Sequence, residues 1–251
     1  MRFDNQSVLV TGASGGIGQA ISKAFAEAGA RVALHCHSGR KTAMTVLSSL
    51  SGSGHMLVEA DIADGESCHI MVENAISEFG GLDILVNNAA IYRTHPIAEV
   101  DYATWRESWA QVLGVNLIGT ANICYCVARH MIDRGGGRIV NVSSRGAYRG
   151  EPRHTSYGAS KAGLNALSQS LAVELAPHQI YVTAVAPGWV EGGMASETLN
   201  SPRAESIRQQ SPVGRVARPE EVAYTVLFLA SKGAEFLTGA VVDLNGASYL
   251  R

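Results

Sequence analysis

The sequence predicts an α/β protein built on a doubly wound parallel sheet of about seven strands, with helices on both faces. Short β-branched segments recur along the chain, and several are apolar nearly throughout, as strands buried on both faces are. The intervals between them are long enough for the crossover helices that parallel pairing requires. Tight strand-to-helix turns favour glycine, of which the chain has 27. The predicted strands begin at Ser7, Arg31, His55, Leu82, Arg138, Ile180 and Ala240.

Helix and loop signals do not divide the chain into separate domains. The segment RPEEVAYTVLFLASKG predicts a helix, with Pro219 in its first turn and Gly233 at its exit. No linker, internal repeat or low-complexity tract interrupts residues 1–251, which we therefore expect to form one domain. Residues 191–213 are rich in Gly, Ser and Pro and lack periodicity, which indicates a mobile substrate flap rather than sheet or core.

Composition and charge exclude several classes of protein. Hydrophobic residues make up 46% of the 251 residues and charged residues 17%, which favours a compact globule over disorder. The net charge of -2 gives no support to nucleic-acid binding. The N-terminal segment lacks the apolar stretch of a signal peptide, and we expect no segment to be long and apolar enough to cross a membrane.

Cysteine and histidine usage predicts neither disulfides nor a metal site. The chain has four cysteines without metal-ligand spacing or a disulfide framework, at Cys36, Cys68, Cys124 and Cys126. Among the eight histidines, His35 and His37 share a strand face, but no third ligand converges on them, so we expect no metal. A reducing, cytoplasmic setting is the simplest expectation.

A glycine-rich turn follows the first predicted strand. The segment TGASGGIGQA places glycines at positions 12, 15, 16 and 18 immediately before a helix. Without Cβ atoms, such a turn lets backbone N–H groups and the positive end of the helix approach a pyrophosphate. The segment lacks the Gly-Lys-Ser/Thr ending of nucleotide hydrolases, which disfavours that class.

The segment SYGASKAG places Tyr157 and Lys161 four residues apart among small residues. On a helix, these two side chains lie on one face, one turn apart. Taken alone, the pair has a structural interpretation as a tyrosine and a lysine on a protein surface. Whether this pair has a catalytic or a structural role therefore depends on the rest of the sequence.

The GxxxGxG spacing of Gly12, Gly16 and Gly18, together with the later YGASK, resembles the classical short-chain dehydrogenase/reductase family. The resemblance runs from Thr11 to about Gly246. It implies a Rossmann-type fold and an oxidoreductase that transfers a hydride between a nicotinamide and a carbonyl or secondary alcohol carbon.

The resemblance also implies a catalytic tetrad. Tyr157 would donate or accept the proton, and the Lys161 ammonium would lower the pKa of Tyr157 and bond the nicotinamide ribose. Ser144, thirteen residues before Tyr157, would donate a hydrogen bond to the carbonyl oxygen. Asn116, in GVNLIGT, would hold a water that leads from Lys161 toward solvent.

The cofactor site follows from the same resemblance. The predicted cofactor-binding residues are Gly12, Ser14, Gly16, Ile17, Gly18, His37, Ser38, Arg40, Asp61, Ile62, Asn87, Ala89, Tyr157, Lys161, Pro187, Gly188 and Val190. Asp61 would bond the adenine amino group, and Asn87 and Ala89 would line the adenosine side. The chain departs from the family at Ala90, where glycine is usual, and at Gly192, where threonine is common.

The end of the second strand favours NADP(H) over NAD(H). Cys36 stands where NAD enzymes of this fold place an acid, and no Asp or Glu occurs between Glu27 and Glu59. The residues after the strand suit a 2′-phosphate: His37, Ser38, Arg40 and Lys41. The alternative is that the two basic residues merely begin the next helix.

The favoured function is an NADPH-dependent ketone reductase of the 3-oxoacyl-[acyl-carrier-protein] reductase type, acting on a free or carrier-linked carbonyl or alcohol. A sugar-alcohol or other small-alcohol dehydrogenase of the same family is one alternative, and a catalytically silent nucleotide-binding regulatory protein is another. The family implies a homotetramer or homodimer. Side chains expected around the carbonyl are Tyr92, His95, Arg145, Tyr148, His154 and Trp189.

Overall fold

The computed structural model describes residues 1–251 and contains one sheet of seven parallel strands in the order β3-β2-β1-β4-β5-β6-β7. Each predicted strand is present, so the doubly wound architecture is confirmed. The central strands are buried along their whole length because helices cover both faces. The strands are β1 (Ser7–Val10), β2 (Arg31–Cys36), β3 (Met56–Glu59), β4 (Ile84–Asn87), β5 (Gly137–Val142), β6 (Ile180–Pro187) and β7 (Val241–Leu244).

Helices connect the strands, and some of them begin at residues that favour a helix start. The Asp64 carboxylate accepts from the backbone N–H groups of Glu66 and Ser67, and Pro219 stands in the first turn of the last helix, as predicted. The helices are α1 (Gly16–Glu27), α2 (Arg40–Ser48), α3 (Gly65–Phe79), α4 (Tyr102–Leu113), α5 (Thr120–Arg134), α6 (Gly146–Arg149), α7 (Thr155–Leu175), α8 (Ser196–Leu199), α9 (Ala204–Arg208) and α10 (Pro219–Ala230).

Two apolar cores lie on opposite faces of the sheet. One contains α1 and α10 side chains such as Phe25 and Val226. The other contains α3 and α5 side chains such as Met71 and Ile123, together with the end of α7. Alternate residues of each strand contribute to one core and then the other, so Val8 belongs to the first and Leu9, its neighbour in β1, to the second.

Helices α4 and α5 join through a π-helical turn, Gly114–Gly119, into one helical run of 33 residues, Tyr102–Arg134. By length and hydropathy, this run is apolar enough to cross a membrane, so the expectation that no segment reaches that threshold is wrong. Within its most apolar window, 39% is buried inside the protein. One such helix is weak evidence for a membrane span, because the core helix of a soluble protein meets the same criteria.

Residues 191–213 form short helical turns rather than an extended loop. A 3-10 turn, Gly193–Ala195, precedes α8 and α9. The expectation that this segment contributes nothing to the core is wrong for Ala195 and Ile207, whose side chains are buried. Its role as a flap stays a prediction.

Hydrogen bonds hold the glycine-rich turn against the residues that follow β4. The Thr11 Oγ1 atom accepts from the backbone N–H groups of Asn88 and Ala89, each at 3.0 Å. The Asn88 side-chain amide donates to the carbonyls of Thr11 and Gly12. A Cβ atom on Gly18 would lie 2.2 Å from the Gly12 carbonyl oxygen, so α1 reaches this turn only with glycine there.

A buried histidine supports the same turn from β2. His35 Nδ1 accepts from the Gly12 N–H at 3.1 Å, and Nε2 lies 3.0 Å from the Ala60 carbonyl oxygen. This pattern fits a neutral ring that carries its proton on Nε2. Burial lowers the pKa of His35 below its ordinary value of 6.5, because a charged ring there would lose its hydration.

We expect Gly18→Ala to lower the free energy of unfolding by about 1–3 kcal/mol, because the added methyl group overlaps the Gly12 carbonyl. Gly15→Ala is the matched control: Gly15 has an extended backbone, and its Cβ would meet no atom within 4 Å. Urea denaturation should place this control within about 0.5 kcal/mol of wild type. Equal losses in the two variants would contradict the packing argument.

At pH values above 6.5, the ordinary pKa of histidine, we expect the protonation of His35 to leave the free energy of unfolding unchanged. As the pH drops below that value, the free energy of unfolding should fall. The reason is that the unfolded chain then binds a proton that the folded ring resists. His35→Gln should flatten the decrease between about pH 7 and pH 5. The exposed His178→Gln is the control and should keep the wild-type slope. A wild-type slope in His35→Gln would exclude His35 as its source.

Candidate active site

A cleft of about 470 Å³ opens at the carboxyl ends of the central strands. It lies where β1 sits between β2 and β4, the point at which the strand order reverses and ligands bind in open α/β sheets. Most of the residues selected from the sequence line it. These are Gly12, Ser14, Gly16, Ile17, His37, Ser38, Asp61, Ile62, Ala89, Ser144, Tyr157, Lys161, Pro187, Gly188 and Val190.

The glycine turn leaves the space that a dinucleotide pyrophosphate needs. Gly12 and Gly16 have φ values of 64° and 51°, a region that favours glycine. A Cβ atom on Gly15 would meet nothing within 4 Å, so the turn is open toward the cleft at the N-terminus of α1. Backbone N–H groups and the positive helix end therefore suit a phosphate anion here.

Three residues of the predicted cofactor site do not line the cleft: Asn87, Gly18 and Arg40. Asn87 is buried, and its amide donates to Asn141 Oδ1 at 2.9 Å and to Cys124 Sγ at 3.2 Å, so its side chain points into the protein and its assignment to the adenosine side stays a prediction. Its neighbour Asn88 lines the cleft instead. Gly18 permits close packing of α1 and does not line the cleft.

Arg40 was predicted to face a 2′-phosphate, but its guanidinium forms an ion pair with Glu59 and does not line the cleft. The β2–β3 register places Glu59 beside Cys36. A carboxylate therefore stands close to the end of β2, although none follows that strand in the sequence. His37 and Ser38 remain exposed in the cleft.

Asn116 lies in the π-helical turn and is fully buried. Its Oδ1 atom accepts from the Ile91 N–H at 2.8 Å, and its Nδ2 donates to the Ile91 carbonyl and to Ser160 Oγ. The side chain therefore holds the segment after β4 and does not line the cleft. In the same turn, a Cβ on Gly119 would lie 2.0 Å from the Ile62 carbonyl oxygen.

Tyr157 and Lys161 lie one turn apart on α7, as predicted, and both line the cleft. The Lys161 ammonium lies 5.8 Å from the centre of the Tyr157 ring and donates to the Val142 carbonyl at 2.8 Å. Lys161 is 2% exposed, which excludes the alternative of a surface pair.

The expected depression of the Tyr157 pKa is not found. Burial raises the pKa of Tyr157 to about 12, the nearby Ser144 hydroxyl lowers it in part, and the Glu151 charge raises it further. Burial lowers the pKa of Lys161 to about 8. In this geometry, desolvation outweighs any attraction between the ammonium and a phenolate.

Ser144 and Ser143 have different surroundings, in agreement with the thirteen-residue spacing. Ser144 Oγ accepts from the Gly146 N–H at 3.0 Å and lies near Tyr157. Ser143 instead donates to the Lys161 carbonyl. Ser144 and Tyr157 can therefore meet one oxygen of a bound molecule.

Near Tyr157, the cleft is lined by the aromatic ring of Tyr92 and by the Glu151 carboxylate. Tyr92 stacks on His154, with ring centres 3.8 Å apart, and meets the Tyr157 ring edge-on at 4.7 Å. The Tyr92 hydroxyl donates weakly to Glu151, at 3.5 Å. Arg145 and Trp189 also line this part of the cleft.

Three other residues expected around the carbonyl do not line the cleft. His154 supports Tyr92 from behind. His95 Nε2 accepts from the Ser156 N–H at the start of α7, and the Arg251 guanidinium lies over the Tyr148 ring. No group of three or more His, Cys, Asp or Glu side chains could hold a metal ion.

Glu151 was missed by the sequence analysis although a signal was present. It is the sole acidic residue between Asp133 and Glu174, and it falls between the Ser144 and Tyr157 motifs. An acid isolated in that position could have been identified as facing the reacting centre.

Comparisons with known proteins agree with this geometry. A family model described as "Enoyl-(Acyl carrier protein) reductase" matches residues 12–246. The 3-oxoacyl-[acyl-carrier-protein] reductase of Chlamydia trachomatis is 36% identical over 96% of each chain. A cis-4-hydroxycyclohexanecarboxylate dehydrogenase from Sinomonas cyclohexanicum is 39% identical over 97% of this chain and 96% of its own.

Solved structures give the same result. A crystal structure titled "Short-chain dehydrogenase/reductase SDR:Glucose/ribitol dehydrogenase", from Brucella melitensis, superposes with a TM-score of 0.90 at 32% identity and covers 100% of both chains. The cleft, its glycine turn and the Tyr157–Lys161 pair are thus found in a chain that matches these proteins over nearly its whole length. The chain belongs to the short-chain dehydrogenase/reductase family, whose members are oxidoreductases acting on alcohol and carbonyl groups.

Proposed function

We propose that the protein is an NADPH-dependent ketone reductase of the 3-oxoacyl-[acyl-carrier-protein] reductase type. The observation that carries this proposal is the meeting of Ser144, Tyr157 and Lys161 in one cleft beside a glycine turn that suits a pyrophosphate. The name of the Chlamydia relative supports the substrate type. Residues 1–251 act as one unit in this proposal, with 191–213 as the flap over the substrate.

A bound nicotinamide dinucleotide supplies the hydride. Ser144 donates a hydrogen bond to the substrate carbonyl oxygen, which stabilises the negative charge that develops there. Tyr157 donates the proton: with a pKa of about 12 it is protonated at neutral pH, as a proton donor must be. Lys161, whose pKa of about 8 leaves it largely protonated, would bond the ribose of a bound nicotinamide dinucleotide and would stabilise the phenolate as the proton leaves. Asn116 positions the segment after β4, and its relay water remains a proposal.

The cofactor preference for NADP(H) rests on the absence of a free acid at the end of β2. Cys36 occupies that position, and burial raises the pKa of its thiol, which keeps it neutral. His37 and Ser38 line the cleft beside it. The nearby Glu59 is neutralised by Arg40, an exposed side chain able to turn toward a phosphate.

A sugar-alcohol or other small-alcohol dehydrogenase is the second candidate. Glu151 favours it, because a carboxylate beside the reacting centre accepts hydrogen bonds from hydroxyl groups. The titles of the Brucella and Sinomonas proteins name alcohol substrates. A catalytically silent nucleotide-binding regulator is a third possibility, and the intact set of Ser144, Tyr157 and Lys161 argues against it.

The proposed assembly is a homotetramer, or a homodimer, in the cytoplasm. Exposed apolar side chains on the α4–α5 run, namely Tyr102, Ile118 and Tyr125, and Val173 on α7 support packing against another copy. Phe236 and Leu250 support a second interface near the C-terminus.

An acidic carrier protein could meet Arg138 and Arg153. In this structure, Arg138 is paired with Glu235 and Arg153 with Glu99. The net charge of -2 gives no support to a nucleic-acid partner.

We expect Tyr157→Phe to lower kcat by at least about 100-fold with diacetyl, acetoacetyl thioesters or ketoses, because the proton donor is lost. NADPH binding, followed by fluorescence, should persist. Tyr148→Phe is the control, since this ring lies outside the cleft under Arg251. Undiminished turnover in Tyr157→Phe would refute its role, and no turnover of any ketone by the wild type would favour the silent regulator.

We expect Cys36→Asp to lower the NADPH-to-NADH ratio of kcat/KM by about tenfold or more, because a carboxylate there repels a 2′-phosphate and accepts from a ribose hydroxyl. Glu59→Gln should raise the ratio by releasing Arg40. Steady-state kinetics with both cofactors measure these ratios. Unchanged ratios in both variants would contradict the assignment.

A further inference from the structure

The cleft contains, near Tyr157, one carboxylate that the mechanism above does not use. Glu151 lies in the loop between α6 and α7, is half-buried and lines the cleft. Its side chain packs over Gly146, where a Cβ would lie 2.5 Å from Oε1 and 2.7 Å from Cγ. Its Cβ also lies 3.8 Å from the Cβ position at Gly158. The Glu151 side chain therefore occupies the space that a side chain at position 146 would need.

The carboxylate has few partners inside the protein. A carboxylate can accept about four hydrogen bonds, but Glu151 has one, from the Tyr92 hydroxyl at 3.5 Å. That distance exceeds the usual O–H···O range. No lysine or arginine nitrogen lies within 4.0 Å of Glu151. The two nearby guanidinium groups, of Arg145 and Arg149, instead donate to Gln210 at 2.6 Å and 2.7 Å.

The same carboxylate adjoins the reacting centre. Tyr92, which contacts Glu151 through its hydroxyl, meets the Tyr157 ring edge-on at 4.7 Å. The charge on Glu151 is close enough to raise the pKa of Tyr157. A substrate whose carbonyl oxygen lies against Ser144 and Tyr157 therefore places its neighbouring atoms next to Glu151.

We propose that Glu151 determines substrate class by accepting a hydrogen bond from a hydroxyl group near the reacting carbonyl. The substrates are then hydroxyketones and, in the oxidative direction, vicinal or nearby diols. A carboxylate at the same place in a substrate would meet a like charge in a partly desolvated site and be disfavoured. This inference rests on the proposed ketone-reductase activity and, within it, favours hydroxylated ketones over the 3-oxoacyl substrate type.

The test compares ketones that differ only near the carbonyl. The substrates are 1-hydroxybutan-2-one, 4-hydroxybutan-2-one, butan-2-one and 2-oxobutanoate, with NADPH. We expect the wild type to show a higher kcat/KM for at least one hydroxyketone than for butan-2-one. Glu151→Ala should lower that ratio about tenfold or more, since a hydrogen bond to a charged acceptor is lost. Glu151→Gln should raise the relative kcat/KM for 2-oxobutanoate, because the like charge is removed.

The control variant is Glu78→Gln, which removes an exposed charge far from the cleft and should keep the wild-type ratios. A wild type that prefers butan-2-one, or a hydroxyketone ratio that Glu151→Ala leaves unchanged, overturns the inference while leaving the reductase proposal intact. If no ketone or acetoacetyl thioester is reduced, the proposed function fails. In that case, calorimetry measures the binding of butane-1,2-diol, in the presence of NADP⁺, to the wild type and to Glu151→Ala. Weaker binding by Glu151→Ala supports the inference. Equal binding by the two proteins, or no binding by the wild type, overturns it.

Discussion

The hydrogen bond from Lys161 Nζ to the Val142 carbonyl, 2.8 Å long, is the contact on which the geometry of the cleft depends. Val142 ends β5, so this bond joins α7 to the carboxyl end of an interior strand. A second contact, from Ser143 Oγ to the Lys161 carbonyl, holds the same turn of the helix. Because Tyr157 lies one turn earlier on this rigid helix, its hydroxyl takes a defined position relative to Ser144 and the glycine turn.

Burial gives the same contact an electrostatic consequence. The lysine and the tyrosine both lose hydration, so the pKa of Lys161 falls to about 8 and that of Tyr157 rises to about 12. The protein therefore keeps the phenol proton in place, and Glu151 acts in the same direction. The proton becomes mobile only when negative charge on a substrate oxygen or positive charge near Tyr157 alters that balance.

Much of this structure was predictable from local patterns. The seven strands follow from apolar β-branched runs, and the phosphate turn follows from its glycines, because both signals act within a few residues. Features set by neighbouring strands were not predictable. The Arg40–Glu59 pair arises from the β2–β3 register, across residues 19 apart in sequence. Asn87 faces the interior and Asn88 faces the cleft. Two adjacent asparagines look alike in the sequence, so the sequence does not show which of them lines the cleft. Whether the pKa of Tyr157 rises or falls depends on the burial of its side chain, which the YGASK motif does not encode.

The π-helical turn connects the two ends of the cleft. Gly119 lets this turn pass directly beneath the Ile62 carbonyl at one end of the cleft, while Asn116 in the same turn holds Ile91 at the other. A larger side chain at position 119 would push on the backbone of one end and tilt the amide that supports the other. Coenzyme affinity and turnover would then change together, even though residue 119 lies outside the cleft.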